Sequence, residues 1–506
     1  MAKFYLTTAI DYSNGDPHLG HTLEKVGADC IARYRRIRGD QVHFVMGMDE
    51  HGQKVAQAAE RAATQPQEWV DRISARFQST WNALLCTPDD WIRTTEPRHA
   101  ASVTEFLNRI QARNPADLYL GDYQGLYCVG CEEFKQEAQL LDGRCVEHPD
   151  LVPVRMKEQN HFFRLSHYGG RVLELIRSGS FRVEPAIRRN EVVSVLEGGL
   201  EDVSISRARF PWGIPFPGDP DHTVYVWFDA LINYITAAGF PQPGWERLWP
   251  AEVHIVGKGI TRLHCCLWPA MLLAAELPLP RMVWAHGYVQ WEGAKVSKSS
   301  GVAVSVDSAI ERHGPDALRW FLLREVGFIG DGNFTWERFD ERYNADLADG
   351  LGNLASRSLA MLVRYRDGKV PGPGPGPTPL DQAGGEAMEA YREAMDGFDL
   401  RSGAEAIASL VTRANQYIVQ TVPWVLAREN RGEELDSVLG SLARCLARLA
   451  LLASPFVPAP AEQLWQSLGR PGTAAGAGWD QELNPDLAGA IVSRPPVLFP
   501  KRESVP

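Results

Sequence analysis

The sequence lacks any run of about 18 apolar residues, the length at which a segment can cross a membrane as a helix. The nearest candidate, residues 442–452, is interrupted by Arg444 and Arg448 and predicts an amphipathic helix instead. The first ten residues carry no basic leader and no small-residue cleavage site. We therefore expect a cytoplasmic protein with no membrane segment.

Cysteine is also scarce, and acidic residues outnumber basic ones. Eight cysteines in 506 residues are too few and too scattered for a secreted disulfide framework. The net charge of −11 excludes a general nucleic-acid coat, although a local basic surface would suffice to bind phosphates. Two interpretations stay open for one arginine cluster, a nucleic-acid contact or a solvated helix end: Arg33, Arg35, Arg36 and Arg38.

The order of apolar segments predicts a parallel α/β domain at the start of the chain. Residues 4–10 and 41–46 have the composition of buried strands, and a helix is predicted between them from His18 to about Arg38. The same rhythm returns with predicted strands at 224–230, 253–256 and 282–285 and a helix at 263–275. A strand–helix–strand order of this kind is typical of nucleotide-binding folds.

Two changes of pattern divide the chain. Residues 114–223 are turn-rich and strand-like, without a long helical period, which predicts an insertion. Beyond residue 345 the pattern is helical, broken by a Pro- and Gly-rich exposed loop at 370–385. The predicted domains are an α/β first half, an insertion, an α/β second half and an all-α region: 1–113, 114–223, 224–345 and 346–506.

The segment His18-Leu19-Gly20-His21 follows a strand and a proline-containing turn. A helix that begins here offers unpaired N–H groups and a partial positive charge to a polyphosphate. The two histidines share one face of the first turn and can donate hydrogen bonds to departing phosphates. Two histidines beside a turn are more often structural, so the motif is weak alone.

A second polar motif, Lys295-Val296-Ser297-Lys298-Ser299, follows the last predicted strand of the α/β domain. Its lysines can neutralise charge on a transferring phosphoryl or adenylyl group, whereas an isolated motif would be a solvated loop. Together and in this order, the two motifs resemble the HIGH and KMSKS signatures of class I aminoacyl-tRNA synthetases. The resemblance implies that His18, His21, Lys295 and Lys298 are catalytic and bind ATP with Mg²⁺.

Four ligand-type residues lie in the insertion at the spacing of a zinc knuckle: Cys128, Cys131, Cys145 and His148. Each two-residue spacer lets a pair bind one tetrahedral ion. Because the protein fills all four positions, we expect one structural Zn²⁺ per chain, with no part in catalysis. The alternative is two reduced pairs without metal.

Three further segments resemble methionyl-tRNA synthetases over nearly the whole chain. They are Ala9–Gly15 (AIDYSNG), Gly47–Gly52 (GMDEHG) and Tyr225–Leu231 (YVWFDAL). The chain also resembles the branch of that family with a single knuckle, and its insertion is too short for the editing domain of the isoleucine, leucine and valine enzymes. The resemblance implies a Rossmann-like catalytic domain and a methionine-binding set: Ile10, Tyr12, Asp49, Trp227, Ala230, Tyr234 and His264.

The expected methionine pocket suits its ligand, because sulfur packs well against aromatic rings. Asp49 would pair with the substrate ammonium group. Taken without the resemblance, aromatic residues such as Tyr12 and Trp227 would be read as core residues. One position departs from the family, which usually has Gly-Lys-Asp where this chain has Gly257-Lys258-Gly259. The missing carboxylate leaves open a specialised paralogue.

The helical region resembles the anticodon-binding domain of the same family. Asn353 and Arg357 are four residues apart on one predicted helix, and Trp424 follows Pro423. The resemblance implies that these three residues bind the anticodon of tRNA(Met), with the tryptophan stacking on a base. The alternative is that Trp424 anchors the core of the helical bundle.

Together these features predict a methionine–tRNA ligase that forms methionyl-adenylate from L-methionine and ATP and then aminoacylates tRNA(Met). We expect a monomer, because no segment has the length of an added dimerisation module. Two alternatives remain. One is another class I enzyme, such as a cysteine-specific one with zinc in its amino-acid site. The other is a tRNA-binding paralogue that does not activate an amino acid.

Overall fold

The computed structural model gives the conformation of most of the chain. It describes residues 2–130, 133–135, 140–146, 150–208, 210–291, 294–295, 305–372, 374, 376–494 and 496–501.

The first section alternates strands and helices, as predicted. Its apolar strands are buried on both faces, which is typical of parallel sheets covered by helices. The elements are β1 Lys3–Thr8, β2 Asp11–Tyr12, α1 Leu19–Ile37, β3 Gln41–Asp49, α2 Gln53–Arg61, α3 Pro66–Ala83, β4 Asp90–Arg93 and α4 Pro97–Arg113.

The next section is mainly antiparallel, but it contains two helices that the sequence pattern did not reveal. The expectation of a strand-like segment without a long helical period within 114–223 therefore missed the helices α5 and α6. The elements are β5 Leu118–Cys128, β6 Glu133–Lys135, β7 Leu140–Leu141, β8 Arg144–Cys145, β9 Val154–Phe163, α5 Gly169–Arg177, β10 Arg182–Glu184, α6 Ala186–Glu197, β11 Val203–Ser204, β12 Ser206–Ala208, β13 Pro215–Phe216 and β14 Asp219–Val224.

The α/β rhythm then resumes, interrupted by π-helical turns at Leu263–Leu267, Leu322–Val326 and Tyr343–Gly352. Residues 224–230 are not a strand, because β14 ends at Val224 and a helix follows. The elements are α7 Val226–Leu231, α8 Asn233–Thr236, β15 Val253–Gly257, α9 Trp268–Ala274, β16 Met282–His286, β17 Val289–Trp291, β18 Ala294–Lys295, α10 Val306–His313, α11 Pro315–Phe321, β19 Gly332–Phe334 and α12 Trp336–Arg342.

The main sheet has the strand order β10-β16-β15-β1-β3-β2, and β4 also pairs with β3. All of its pairings are parallel, with Leu6 opposite Val253 on one side of β1 and Phe44 on the other. Strand β10 comes from within 114–223, so the chain returns to the main sheet once inside the predicted insertion. The carboxyl ends of all these strands consequently meet at one edge.

The insertion forms sheets of its own. β5 and β9 pair along their whole length in a sheet of order β11-β9-β5-β6, and a small sheet of order β12-β14-β13 lies beside it. A backbone hydrogen bond from Ile205 to His161 joins the two sheets. Strand β14 runs directly into α7, with only Tyr225 between them, so the insertion leads straight back into the α/β domain.

The rest of the described chain is helical, as predicted. The loop before α14 is shorter than the predicted 370–385, because the Thr378 and Asp381 side chains form a capping box that starts a helix at Pro379. The helices are α13 Asn353–Arg366, α14 Pro379–Asp396, α15 Leu400–Thr421, α16 Pro423–Arg428, α17 Gly432–Ala453, α18 Pro458–Ser467 and α19 Trp479–Leu483.

One hydrophobic core joins the α/β domain to the helical bundle. Phe4 and Leu6 of β1 face the cluster that continues through α1 into the bundle as far as Phe499, whereas Tyr5 faces the cluster on the other side of the sheet. This alternation follows from the two-residue period of a strand. The bundle is thus packed on the same side of the sheet as α1.

The arginine cluster near the end of α1 is paired within the protein. Arg33 binds Asp29, Arg36 binds Asp89, and Arg35 and Arg38 both lie within 4 Å of Asp396 of the bundle: Arg33–Asp29 2.7 Å, Arg36–Asp89 2.8 Å, Arg35–Asp396 3.7 Å and Arg38–Asp396 3.7 Å. These contacts favour a structural role over a nucleic-acid surface. Among the described helices, none is long and apolar enough to cross a membrane.

Candidate active site

A crevice forms where the sheet order changes direction. β1 lies between β3 and β15, and the chain passes from β1 to β3 on one side and later to β15 on the other. In an open parallel sheet, the carboxyl ends of strands at such a switch point form a ligand-binding crevice. The helix α1, with its predicted phosphate-binding start, follows β1 and β2 at this edge.

His18 and His21 build the first turn of α1. His18 is the N-cap residue, and its Nδ1 accepts a hydrogen bond from the backbone N–H of Gly20 at 3.1 Å. The Nδ1 of His21 accepts from the backbone N–H of His18 at 3.2 Å, and the two rings stack with centroids 3.8 Å apart. Because both Nδ1 atoms are acceptors, a neutral ring carries its proton on Nε2. Each histidine therefore presents an N–H donor from its Nε2 atom.

The predicted lysine loop lies mostly outside the described residues. Lys295 belongs to β18 through its backbone, and β18 pairs with β17, which follows β16 after only two residues. The loop therefore begins close to the strand edge that forms the crevice. Lys298 falls outside the described residues, so the catalytic roles of both lysines stay predictions.

Tyr234 and His264, both predicted for the methionine pocket, are in direct contact. The Tyr234 hydroxyl lies 2.7 Å from Nε2 of His264, whose Nδ1 lies 2.9 Å from the carbonyl oxygen of Ile260. Since a carbonyl can only accept, Nδ1–H of His264 donates to it and Nε2 accepts from the tyrosine. Burial lowers the pKa of His264 to about 4 and raises that of Tyr234 far above its usual value. The pair is therefore uncharged at neutral pH.

The other predicted pocket residues come from adjacent elements. Tyr12 of β2 is the register partner of Asp49, the buried last residue of β3. Ile10 packs against the apolar cluster on the Tyr5 side of the sheet. Trp227 and Ala230 lie three residues apart on α7, the former half-buried and the latter buried. The structure thus places these side chains on β2, β3 and α7, and their contact with methionine stays a prediction.

The helix α7 is held by a buried carboxylate. The two oxygens of Asp229 lie 2.6 Å from Nδ1 of His51 and 2.6 Å from Nε2 of His99. Burial alone would raise the pKa of Asp229, but the two histidines outweigh it and hold that pKa below its usual value. Asp229 thus fixes the helix of Trp227 and Ala230 against the segment that follows β3.

A second buried network lies beneath the start of α1. Nζ of Lys25 is 2.8 Å from Glu24, 3.2 Å from Asp11 and 2.5 Å from the carbonyl oxygen of Ala9. Glu24 in turn lies 2.9 Å from Nε2 of His286, at the end of β16. Burial raises the pKa of Asp11 to about 6 against the opposing effect of Lys25. This network ties α1 to β1 and β16 around the crevice.

The structure gives a local reason for glycine at position 259. A Cβ atom built on Gly259 would overlap the hydroxyl oxygen of Tyr288, which follows β16. Lys258 has its own carboxylate, since its Nζ lies 2.7 Å from Asp331 and 4.8 Å from the centre of the Tyr288 ring. The tyrosine thus occupies space that a side chain at position 259 would need.

Only part of the predicted zinc knuckle can be located. Cys128, at the end of β5, and Cys145, at the end of β8, are buried, and neither forms a disulfide. Cys131 and His148 lie outside the described residues. Two buried thiols at the ends of strands fit the donor chemistry of a zinc site, and the site itself stays a prediction.

The predicted anticodon residues lie on two helices of the bundle. Asn353 is exposed and Arg357 half-buried on α13, which contacts α15. Trp424 lies on α16, which follows α15 after a left-handed residue at Val422, and it is 45% exposed. A tryptophan this exposed is not a core residue, so the alternative of a bundle anchor was wrong.

Comparisons with known proteins cover both parts of the chain. The family model described as "tRNA synthetases class I (M)" matches residues 4–151 and 139–359. The model described as "Anticodon binding domain of methionyl tRNA ligase" matches residues 374–504.

The chain belongs to the methionyl-tRNA synthetase family.

Curated relatives agree with this membership. The methionine–tRNA ligase of Brucella melitensis is 41% identical over 508 residues, covering 99% of this chain and 98% of its own. The methionine–tRNA ligase of Halalkalibacterium halodurans is 42% identical over 485 residues, which cover 92% of this chain and 73% of the relative. A structure of Mycobacterium tuberculosis methionyl-tRNA synthetase in complex with methionyl-adenylate has a TM-score of 0.93 at 38% identity, covering 99% of this chain and 100% of its own.

Membership confirms the predicted fold class, a Rossmann-like α/β domain of a class I synthetase followed by a helical domain, and the predicted ligase function. Sequence reasoning missed the buried groups that support the synthetase crevice. Asp229 and His51 lay in segments already singled out, but their contact spans 178 residues. His99, Glu24 and Lys25 belonged to no motif, and only the fold brings them to the site.

Proposed function

We propose that this chain activates L-methionine with ATP and transfers the methionyl group to tRNA(Met). The observation that carries the proposal is the crevice itself. A helix start with two Nε2–H donors lies at the same sheet edge as a buried, uncharged Tyr234–His264 pair. One part suits a polyphosphate and the other suits an apolar side chain.

In the first step, a carboxylate oxygen of methionine attacks the α-phosphorus of ATP, and the bond to the bridging oxygen breaks to release pyrophosphate. His18 and His21 donate hydrogen bonds to the departing phosphates, aided by the positive end of the α1 dipole. Lys295 and Lys298 neutralise the charge that develops there. Mg²⁺ bound with ATP would supply further charge neutralisation. Positioning and charge suffice, and no covalent nucleophile is needed.

The methionine side chain would lie against Ile10, Tyr12, Trp227 and Ala230, with Tyr234 and His264 closing the pocket. Because His264 donates its Nδ1 proton to Ile260 and accepts at Nε2, it presents no charge to the thioether. Asp49, buried at the end of β3 beside Tyr12, would pair with the ammonium group. The contacts of His51 and His99 with Asp229 would hold α7, and with it Trp227 and Ala230, in place beside the pocket.

Beyond the crevice, we infer one structural Zn²⁺ held by Cys128, Cys131, Cys145 and His148, which would fix the shape of the insertion. For the second step, Asn353, Arg357 and Trp424 would bind the anticodon while the 3′-terminal ribose of the tRNA attacks the methionyl carbonyl and releases AMP. The domain boundaries at 113, 223 and 345, a monomeric state and a cytoplasmic location complete the proposal.

ATP–pyrophosphate exchange with each of the twenty amino acids tests the first step. We expect exchange with methionine alone and its loss in Lys298→Ala. Lys501→Ala is the matched control, because Lys501 is exposed in the C-terminal segment. Exchange with another amino acid would contradict the methionine pocket, and unchanged exchange in Lys298→Ala would contradict the role of the loop.

A second candidate is a paralogue that binds tRNA without activating methionine, and the glycine at position 259 favours it. It predicts tRNA(Met) binding by a folded chain that gives no exchange with any amino acid. Aminoacylation of tRNA(Met), measured with the same preparation, separates the two candidates.

A further inference from the structure

Two histidines and an aspartate converge on the insertion, away from the crevice. His161 of β9 and His222 of β14 both face Asp219, the first residue of β14. Oδ2 of Asp219 lies 2.8 Å from Nε2 of His161 and 2.9 Å from Nδ1 of His222. These three atoms all lie within 4.8 Å of one another. The group is half-buried, so its atoms are shielded but reachable from solvent.

The hydrogen bond that His222 makes through Nε2 leaves its Nδ1 facing the Asp219 carboxylate without a proton between them. Nε2 of His222 lies 2.8 Å from the carbonyl oxygen of Gln159, so Nε2 carries the proton of the neutral ring. In the neutral ring, Nδ1 then points a lone pair at Oδ2 of Asp219, 2.9 Å away. A cation between the two atoms would turn this repulsion into two attractive contacts.

The remaining contacts hold the group in place. The His161 ring stacks on Phe216 with centroids 4.0 Å apart and planes 9° apart. Gln159 fixes the tautomer of His222 through its backbone, the arrangement found behind many metal-bound histidines. The His161 hydrogen bond lowers the pKa of Asp219, which keeps the carboxylate ionised at neutral pH.

We propose that His161, Asp219 and His222 bind a divalent transition metal ion, with Zn²⁺ as the expected occupant. Zinc binds imidazole nitrogen and carboxylate oxygen at about 2.0–2.2 Å, which places tetrahedral ligands roughly 3.3 Å apart. The two closest pairs here need to widen by only about 0.5 Å to reach that spacing. Three protein ligands leave the fourth position to water.

This site is separate from the predicted knuckle. His161 is the register partner of Leu120 on β5, whereas Cys128 ends that strand eight residues further on. At roughly 3.3 Å per residue, the two positions lie about 26 Å apart along the strand. The ion would join β9 of the insertion to β14, the strand that leads into α7. Its role is therefore to fix the insertion against the helix that carries Trp227.

The test is a titration with Co²⁺ of the full-length chain, from which a mild chelator has first removed weakly bound metal, followed by visible absorption. Cobalt bound by nitrogen and oxygen gives d–d bands without the thiolate-to-cobalt charge-transfer band that a cysteine site would add. We expect one such ion per chain, displaced by added Zn²⁺. The ion should also raise the melting temperature of the wild-type chain, since it binds the folded state.

The variants His161→Gln, Asp219→Asn and His222→Gln should each bind this cobalt at least about 100-fold more weakly, because each loses a ligand. His167→Gln is the matched control, since His167 also lies beside a carboxylate, Asp117, but has no second imidazole there. Wild-type cobalt uptake with the thiolate band only, or none at all, would overturn the proposal even if a variant failed to fold. Wild-type affinity in folded Asp219→Asn would do so as well.

Discussion

At the scale of single residues, His264 makes the stability of the protein depend on pH. Its pKa falls from 6.5 to about 4 in the folded state, so the unfolded chain binds one more proton between these values. The free energy of unfolding is therefore unaffected by this group above pH 6.5 and decreases as the pH falls from 6.5 towards 4. At 1.36 kcal/mol per pKa unit, the loss is about 3 kcal/mol.

The measurement is urea denaturation of the wild type and of His264→Gln at several pH values. We expect the difference in unfolding free energy between the two to shrink by about 3 kcal/mol from pH 7 to pH 4. His254, which is also buried, remains in both proteins, and most of its contribution cancels because burial, ahead of the charge on His264, is the main cause of its lowered pKa. A difference that stays constant with pH would show that His264 titrates normally.

Gly259 and Tyr288 should be energetically coupled. Gly259→Ala places a methyl group against the Tyr288 hydroxyl, and overpacking of this kind costs about 1–3 kcal/mol of stability. Tyr288→Phe removes the overlapping oxygen, so the double variant should recover part of the loss in a double-mutant cycle. Strictly additive effects would mean that the tyrosine does not limit position 259.

Residue contacts were predictable only where the partners are neighbours in sequence. His18 and His21 could be paired from their three-residue spacing, because both lie in one helical turn. The contacts of Asp229 with His51 and His99 could not be predicted in this way, since these partners are 178 and 130 residues away. Only the packing of α4 and α7 brings His99 to that carboxylate.

At the scale of elements, the short helix α16 presents Trp424 to solvent. We expect Trp424→Ala to lower kcat/KM for aminoacylation of tRNA(Met) about 5- to 150-fold, because base stacking is worth about 1–3 kcal/mol. ATP–pyrophosphate exchange with methionine should be unchanged, since this step needs no tRNA. Val419→Ala, on the exposed face of α15, is the control. Equal loss in both assays would indicate a structural defect.

Elements were predicted well where burial and period agree. Strands β1, β3, β15 and β16 are mainly apolar and buried, and α1 begins and ends within one residue of its predicted bounds. The prediction of a strand at residues 224–230 was wrong, because a short apolar run fits a strand and a buried helix equally well. The loop at 370–385 was overestimated, since the capping box at Thr378 lets a helix start at proline.

At the scale of the whole molecule, Arg319 joins the catalytic domain to the bundle. It is fully buried and lies 2.8 Å from Asp29 of α1. Its guanidinium also donates to the carbonyl oxygens of Leu84, Pro455 and Phe456. Pro455 and Phe456 precede α18 in the bundle, so the Arg319 guanidinium pairs with acceptors of both the catalytic domain and the bundle.

We expect Arg319→Met to lower the free energy of unfolding by about 3–5 kcal/mol, because it leaves the Asp29 carboxylate buried without this partner. Urea denaturation measures the loss. Arg338→Met is the control, since Arg338 forms exposed ion pairs that should be worth less than about 1 kcal/mol. A loss as small as that of the control would mean that water replaces the guanidinium.

The helix α1 connects the proposed phosphate-binding turn rigidly to the helical bundle. Its first turn carries His18 and His21, and its middle is fastened through Asp29 and Arg319 to the bundle. At 1.5 Å per residue, its 19 residues form a rod about 28 Å long. A displacement of the bundle would therefore tilt the first turn of α1, where we propose that phosphates bind. Helix α1 is thus a rigid mechanical link between the turn that carries His18 and His21 and the bundle that matches the anticodon-binding family model.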